Sequence, residues 1–196
     1  MADGATWDDL AADHAGVVMK YTRGVTKLKS IYSKKNSADW RKVEVEVVVG
    51  DTGIGKTRGV LYDEKDERRA GIYVLCCSDA NSLWWDGYDG EQCLLIDEFT
   101  GWIKYSFLLR VLDGHQLRLP VKGGFTYAQW VRVVITSNQT PEEWYKKGVC
   151  AALRRRLHSY YARIAGVAGA AQIQLNGLNK CPSCNEEQDY CMCILD

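Results

Sequence analysis

Val43, Val45 and Val47 alternate with Glu44 and Glu46, and Val48 and Val49 continue the run, so this segment predicts a β-strand entering a core. Three further apolar runs, "IYVLCC", "CLLIDEF" and "VRVVITSN", predict a second, third and fourth strand. Apolar positions Leu10, Val17, Val18, Tyr21, Val25, Leu28, Ile31 and Tyr32 recur three and four apart, a helical period, and predict a small helical segment ahead of the first strand. A short helix is expected after residue 57, another over Lys104 to Leu112, and two more in "PEEWYKK" and "VCAALRRRLHSYY". In "QLRLPVKGGFTYAQW" the alternation of Leu117, Leu119 and Val121 around a Gly-Gly turn predicts a β-hairpin. Strands alternating with helices imply an α/β fold, with a mainly parallel central sheet flanked by helices. The organisation expected is a helical oligomerisation or linker segment over 1–40, a core domain over 41–165, and a linker with a cysteine-rich tail over 166–196.

Between the first strand and the next helix lies "GDTGIGKT". Gly50, Asp51, Thr52, Gly53, Ile54, Gly55, Lys56 and Thr57 fit the spacing of a phosphate-binding loop. Glycines there allow positive φ, so backbone N–H groups fold into a concavity that holds a polyphosphate. Lys56 would reach the β- and γ-phosphates, and the Thr57 hydroxyl would ligate Mg²⁺. The expected ligands are therefore ATP and Mg²⁺. In "LLIDEF" three buried residues bring Asp97 and Glu98 to the end of a strand, where ligands bind in open α/β sheets. Asp97 is placed to hold the Mg²⁺ shell and Glu98 to polarise a water. Asn138 ends "VVITSN" beside the same crevice and is read either as a γ-phosphate sensor or as a turn cap. Arg154, Arg155 and Arg156 are consecutive, so they point in different directions; they supply either an arginine finger or a solvated basic face.

Composition narrows the partners. With 196 residues, 46% hydrophobic and 26% charged, the chain suits one soluble domain with appendages. It has no apolar run of membrane-spanning length and an acidic start, so no membrane partner is expected. Formal net charge is zero, yet Lys20, Arg23, Lys27, Lys29, Lys34, Lys35, Arg41 and Lys42 face the single acid Asp39, a local excess of +7 suited to an anionic polymer or to a solvated helix face. Cys76, Cys77, Cys93 and Cys150 lie in or beside apolar stretches and are read as buried thiols. Cys181, Cys184, Cys191 and Cys193 crowd the tail "CPSCNEEQDYCMCILD", either as a four-thiolate Zn²⁺ site or as an unstructured end. Trp84, Trp85 and Tyr88 are expected to pack rather than to stack on bases.

The order of these motifs resembles that of superfamily 3 helicases. The strings "WWDGYDGEQCLLIDEFTGW", "LPVKGG" and "ITSNQTPEEWY" resemble the helicase domain of replication-associated proteins of circoviruses and related circular single-stranded DNA viruses, and "DHAGVVMKYTRGVTKL" resembles the segment that links nickase to helicase in those proteins. The resemblance covers roughly residues 13–161 and implies an AAA+-type P-loop ATPase that forms a ring, a hexamer, and moves 3′ to 5′ on single-stranded DNA. It makes Gly50 to Thr57 the Walker A loop, Asp97 and Glu98 the Walker B pair, and Asn138 the sensor of motif C. It also puts Lys122 on a channel hairpin that grips the DNA backbone, and the arginine finger at Arg155 or Arg156. It further implies a place in the host nucleus if the chain is viral, or otherwise an intracellular one. Nothing before Asp13 has room for the nickase of such proteins, so origin nicking is not expected of this chain, and the cysteine tail departs from the family pattern. Two other readings stand beside it. One is an RNA-virus replication helicase of the picornavirus type, against which "WWDGYDGE" speaks. The other is a non-enzymatic oligomeric single-strand-binding module, against which the full set of ATPase side chains speaks.

Overall fold

The computed structural model describes residues 11–76, 83–146 and 148–157, and the backbone of 159–162 and 171–173. Two helices, α1 (Ala15–Lys20) and α2 (Thr22–Asn36), precede the strand β1 (Glu44–Val49) and the six-residue helix α3 (Lys56–Leu61). Then come β2 (Ile72–Leu75), β3 (Cys93–Ile96), α4 (Tyr105–Val111), the hairpin strands β4 (Arg118–Val121) and β5 (Gly124–Tyr127), and β6 (Arg132–Ser137). A 3₁₀ turn (Pro141–Glu143), the short helix α5 (Ala151–Arg154), β7 (Ser159–Ala162) and β8 (Ala171–Ile173) follow.

The main sheet has the order β2-β3-β6-β1-β7-β8. Every pairing is parallel except that of β7 with β8. After β1 the chain crosses to the far edge, and then returns strand by strand until β6 lies against β1. The C-terminal ends of β1, β3 and β6 therefore open on one crevice, beside the point where the chain changes direction in the sheet. Alternation in β1 buries Val45 and Val47 completely on one face. There they join Leu94, Ile96, Val133, Ile135, Trp85 and Trp130 in the larger core. The opposite face holds a smaller cluster, Val60, Leu95 and Val134, under α3.

The loops that follow β3 and β6 are fastened to each other. Phe99 N–H donates to the Thr136 carbonyl at 2.8 Å. Ser137 Oγ donates to the Phe99 carbonyl at 2.6 Å, and Trp144 Nε1 donates to Ser137 Oγ at 3.1 Å. The Phe99 and Trp144 rings meet edge to face with centroids 4.8 Å apart. Gly101 makes this approach feasible: its φ is +88°, and a Cβ there would lie 1.9 Å from the Trp144 carbonyl oxygen.

Several expectations are corrected. "PEEWYKK" yields only the 3₁₀ turn, because Trp144 turns into the core, 4% exposed, rather than following a helix. The helix in "VCAALRRRLHSYY" stops at Arg154, and Ser159–Ala162 is a strand, since the edge of β1 away from β6 has backbone groups that need a partner. Ala171–Ile173 continues the sheet within a stretch read as linker. The hairpin turn is Lys122–Gly123: only Gly123 needs positive φ, and Gly124 pairs with Val121 as part of β5. Cys76 and Cys150 are exposed and Cys93 half-buried, while Cys77 lies outside the described residues. Arg41 does not belong to a solvated basic face. It is 5% exposed and donates to the carbonyls of Trp130 at 2.7 Å and His115 at 3.3 Å. Trp85 and Tyr88 pack in the core as expected, and Trp84 is exposed.

Gly101→Ala and Gly53→Ala share a positive-φ penalty of about 1–2 kcal/mol, but only Gly101 faces a carbonyl. Urea unfolding should show Gly101→Ala losing roughly 1–3 kcal/mol more than Gly53→Ala. Equal losses would mean that the two loops are not fastened at this point.

Candidate nucleotide-binding site

The loop between β1 and α3 turns through two left-handed glycines, Gly53 (φ +83°) and Gly55 (φ +79°). A Cβ on either would meet nothing within 4 Å, so backbone conformation, not crowding, requires glycine there. Lys56 begins α3 and folds back under the loop. Its ammonium donates to the carbonyls of Gly50 at 2.7 Å and Asp51 at 2.8 Å, and to Asn138 Oδ1 at 2.6 Å. All three ammonium protons are thereby used. Among the described residues no carboxylate forms an ion pair with this buried cation. Burial pushes its pKa below the ordinary 10.5, opposed by the more distant charges of Glu98, Asp51 and Asp97.

One residue along, Thr57 Oγ1 donates to Asp97 Oδ1 at 2.6 Å. Thr136, fully buried near the end of β6, donates to the same oxygen at 2.7 Å and accepts the Glu98 N–H at 3.1 Å. Glu98 has a φ of +48°, unusual for a residue with a side chain and costing about 1–2 kcal/mol. Its backbone is held from both sides, because its carbonyl also accepts from Trp102 Nε1 at 3.3 Å. The side chain is left exposed at the mouth of the crevice. Asn138 closes the circle, its Nδ2 donating to Thr52 Oγ1 at 3.2 Å.

These residues fit a nucleotide with its metal. A buried ammonium surrounded by neutral oxygens is stabilised by an anion, and phosphate oxygens can replace the three acceptors it now holds. Thr57 and Asp97 supply hard oxygen donors side by side, the chemistry Mg²⁺ prefers. Neighbouring ligands of an octahedral ion at about 2.1 Å lie about 3 Å apart, close to the present 2.6 Å separation. Among the described residues no three His, Cys, Asp or Glu side chains cluster for a metal, and Cys181, Cys184, Cys191 and Cys193 lie outside those residues.

Gly50 to Thr57, Asp97, Glu98 and Asn138 thus come together at one crevice. Two other candidates stand apart from it. Lys122 sits at the hairpin tip, where its N–H donates to Asp86 Oδ1 at 2.7 Å and its Nζ lies 3.8 Å from Asp86 Oδ2. Arg155 is exposed just after α5, whereas Arg156 is paired with Asp113 and donates to the Ala152 carbonyl at 2.8 Å. The sequence reading missed Thr136 and Asp86. A hydroxyl inside the apolar run "VVITS" was the available signal for the first. No local signal marked the second, since its partner lies 36 residues on.

Residues 47–139 match the family model described as RNA helicase. The replication-associated protein of goose circovirus is 35% identical over 153 residues, which cover 78% of this chain and 49% of that protein. The corresponding protein of porcine circovirus 2 is 34% identical over 153 residues, covering 76% and 46%. That of human associated cyclovirus 1 is 31% identical over 153 residues, covering 74% and 51%. The chain spans about half the length of these curated relatives. No helix among the described residues is long and apolar enough to cross a membrane. The phosphate-loop geometry at the ends of three parallel strands and these matches together place the chain in the superfamily 3 helicase family, as a helicase domain of the type found in circovirus replication-associated proteins.

Proposed function

We propose that this chain is an ATP-driven motor of rolling-circle replication that works as a ring, a hexamer, on single-stranded DNA. The observation that carries the reading is the convergence of Lys56, Thr57, Asp97 and Asn138, linked by hydrogen bonds of 2.6 Å, on one crevice. ATP with Mg²⁺ would supply the phosphoryl group and its charge. Lys56 exchanges its carbonyl and amide acceptors for phosphate oxygens. Thr57 and Asp97 would hold the metal, and Thr136, through its hydrogen bond to Asp97 Oδ1, fixes the orientation of that carboxylate. Glu98, exposed at the crevice, takes the proton of the attacking water. Asn138 loses the Lys56 contact at its Oδ1 when phosphate arrives, and its Nδ2 turns from Thr52 Oγ1 to donate to the γ-phosphate. Arg155, exposed near the end of α5, serves as the finger for a neighbouring subunit's nucleotide. Arg156, tied to Asp113, positions the segment that carries it.

Lys122 presents a cation at a glycine turn, where a DNA backbone can approach closely. The reading implies work in the host nucleus if the chain is viral, with Cys181, Cys184, Cys191 and Cys193 of the tail supplying four thiolates for Zn²⁺.

Steady-state phosphate release should vanish in Lys56→Ala. Glu98→Gln should lower kcat by about 10²- to 10⁴-fold while ATP binding persists. In Lys122→Ala, basal hydrolysis should survive and stimulation by single-stranded DNA should disappear. An assembled parent protein that releases no phosphate with DNA present would contradict the motor and leave a binding module.

Lys56 also gives a pH signature. Burial lowers its pKa, and phosphate favours the charged form. ATP affinity is therefore full below that lowered pKa and falls as pH rises through it. Calorimetric titrations between pH 7 and 10 should show this fall in the parent and a flatter profile in Lys56→Arg, whose guanidinium stays charged. Matching profiles would dissociate Lys56 from phosphate.

A further inference from the structure

The hairpin β4–β5 has two faces and two outer edges, and three of these four surfaces are used by the fold. Its inward face buries Leu119 and Thr126, which are 0% and 6% exposed. The outer edge of β4 is met by the segment before β3: Trp85 N–H donates to the Pro120 carbonyl at 3.0 Å and Asp86 accepts from Lys122 N–H. The outer edge of β5 is met by α2, where Ser33 Oγ accepts the Tyr127 N–H at 2.8 Å and lies 2.9 Å from Thr126 Oγ1.

The fourth surface is the outward face. Cross-strand register places Arg118 opposite Tyr127 and Pro120 opposite Phe125, all on this side of the ribbon. Phe125 is 44% exposed. The Arg118 guanidinium lies over its ring, 4.2 Å from the centroid, and forms no ion pair with any described residue. A single exposed apolar residue is ordinary. This one differs in carrying an unpaired cation against its ring, and in lying one strand position from the tip that bears Lys122. Burial of the ring would favour folding, and the hairpin forgoes that gain.

We propose that Phe125, held from one side by Arg118, is a base-stacking platform for single-stranded DNA, with Lys122 taking a phosphate of the same strand. Aromatic rings interleaved with cations are how proteins hold single strands without reading sequence, since every base offers a π-face. The assignment rests on the reading of the hairpin as the DNA-contacting element. It adds a non-ionic contact to the ionic one at Lys122.

The two contacts differ in how they respond to salt and to removal of the bases. The test uses the full chain with a non-hydrolysable ATP analogue. Fluorescence anisotropy follows binding to a labelled thymidine oligonucleotide and to an abasic oligonucleotide of equal length, at several salt concentrations. Phe125→Ala should weaken thymidine binding about tenfold, leave the slope of log K against log salt unchanged, and bind the abasic strand as the parent does. Phe125→Trp should restore binding. Lys122→Ala should weaken both strands and reduce the slope by about one. A normal Lys122→Ala slope on both strands would overturn the hairpin reading itself. With Lys122→Ala behaving as expected, three results would overturn stacking alone: parental binding by Phe125→Ala, an equal loss on the abasic strand, or a changed oligomeric state in gel filtration.

Discussion

Register in the parallel sheet is the constraint on which the rest depends. Ile96 pairs with Ile135 and Val49 with Ser137, so Asp97 leaves β3 level with Thr136, and Gly50 leaves β1 level with Asn138. Three segments distant in sequence thereby deliver a loop, a carboxylate and an amide to the same height. A slip of one residue would turn every side chain of a strand to the other face. The fully buried Val45, Val47, Val133 and Ile135 oppose such a slip on the larger face, and Leu95 and Val134 do so on the smaller one. The packing of the core and the geometry of the site are therefore set by the same residues.

The side chains of the site brace one another. Lys56 satisfies itself on Gly50, Asp51 and Asn138, and Thr57 and Thr136 share one oxygen of Asp97. Each contact involves a group with something stronger to bind, an anion for the ammonium or a cation for the carboxylate. These contacts keep the buried polar groups of the site paired. The left-handed backbone at Glu98 belongs to the same arrangement. Local conformational energy is sacrificed there, and the hydrogen bonds from Thr136 and Trp102 hold the residue in place.

Much of this was legible in the sequence because the signals are local. The alternation in β1, the glycine spacing of the loop, and the apolar runs ending in Asp97 and in Asn138 each report on adjacent residues. What was missed depends on contacts between distant segments. Ser159–Ala162 follows a helix-forming stretch and becomes a strand through pairing with Val47 and its neighbours. Trp144 abandons a helical path because Phe99 waits in the core. Cys76 and Cys150 end up exposed although their flanks are apolar, since the strand or helix beside each one begins or stops at that point. Arg41 looked like one more surface cation, and only the fold supplies the carbonyls of Trp130 and His115 that bury it.

The central claim is that the ends of β1, β3 and β6 form a single site for nucleotide and metal. Mn²⁺ binding followed by electron paramagnetic resonance, with and without ATP, tests it directly in the parent and in Asp97→Asn. The account predicts a protein-bound Mn²⁺ signal in the parent that requires ATP, and loss of that signal in Asp97→Asn while ATP still binds. Retention of the same signal in Asp97→Asn, or Mn²⁺ binding that is indifferent to ATP, would contradict it.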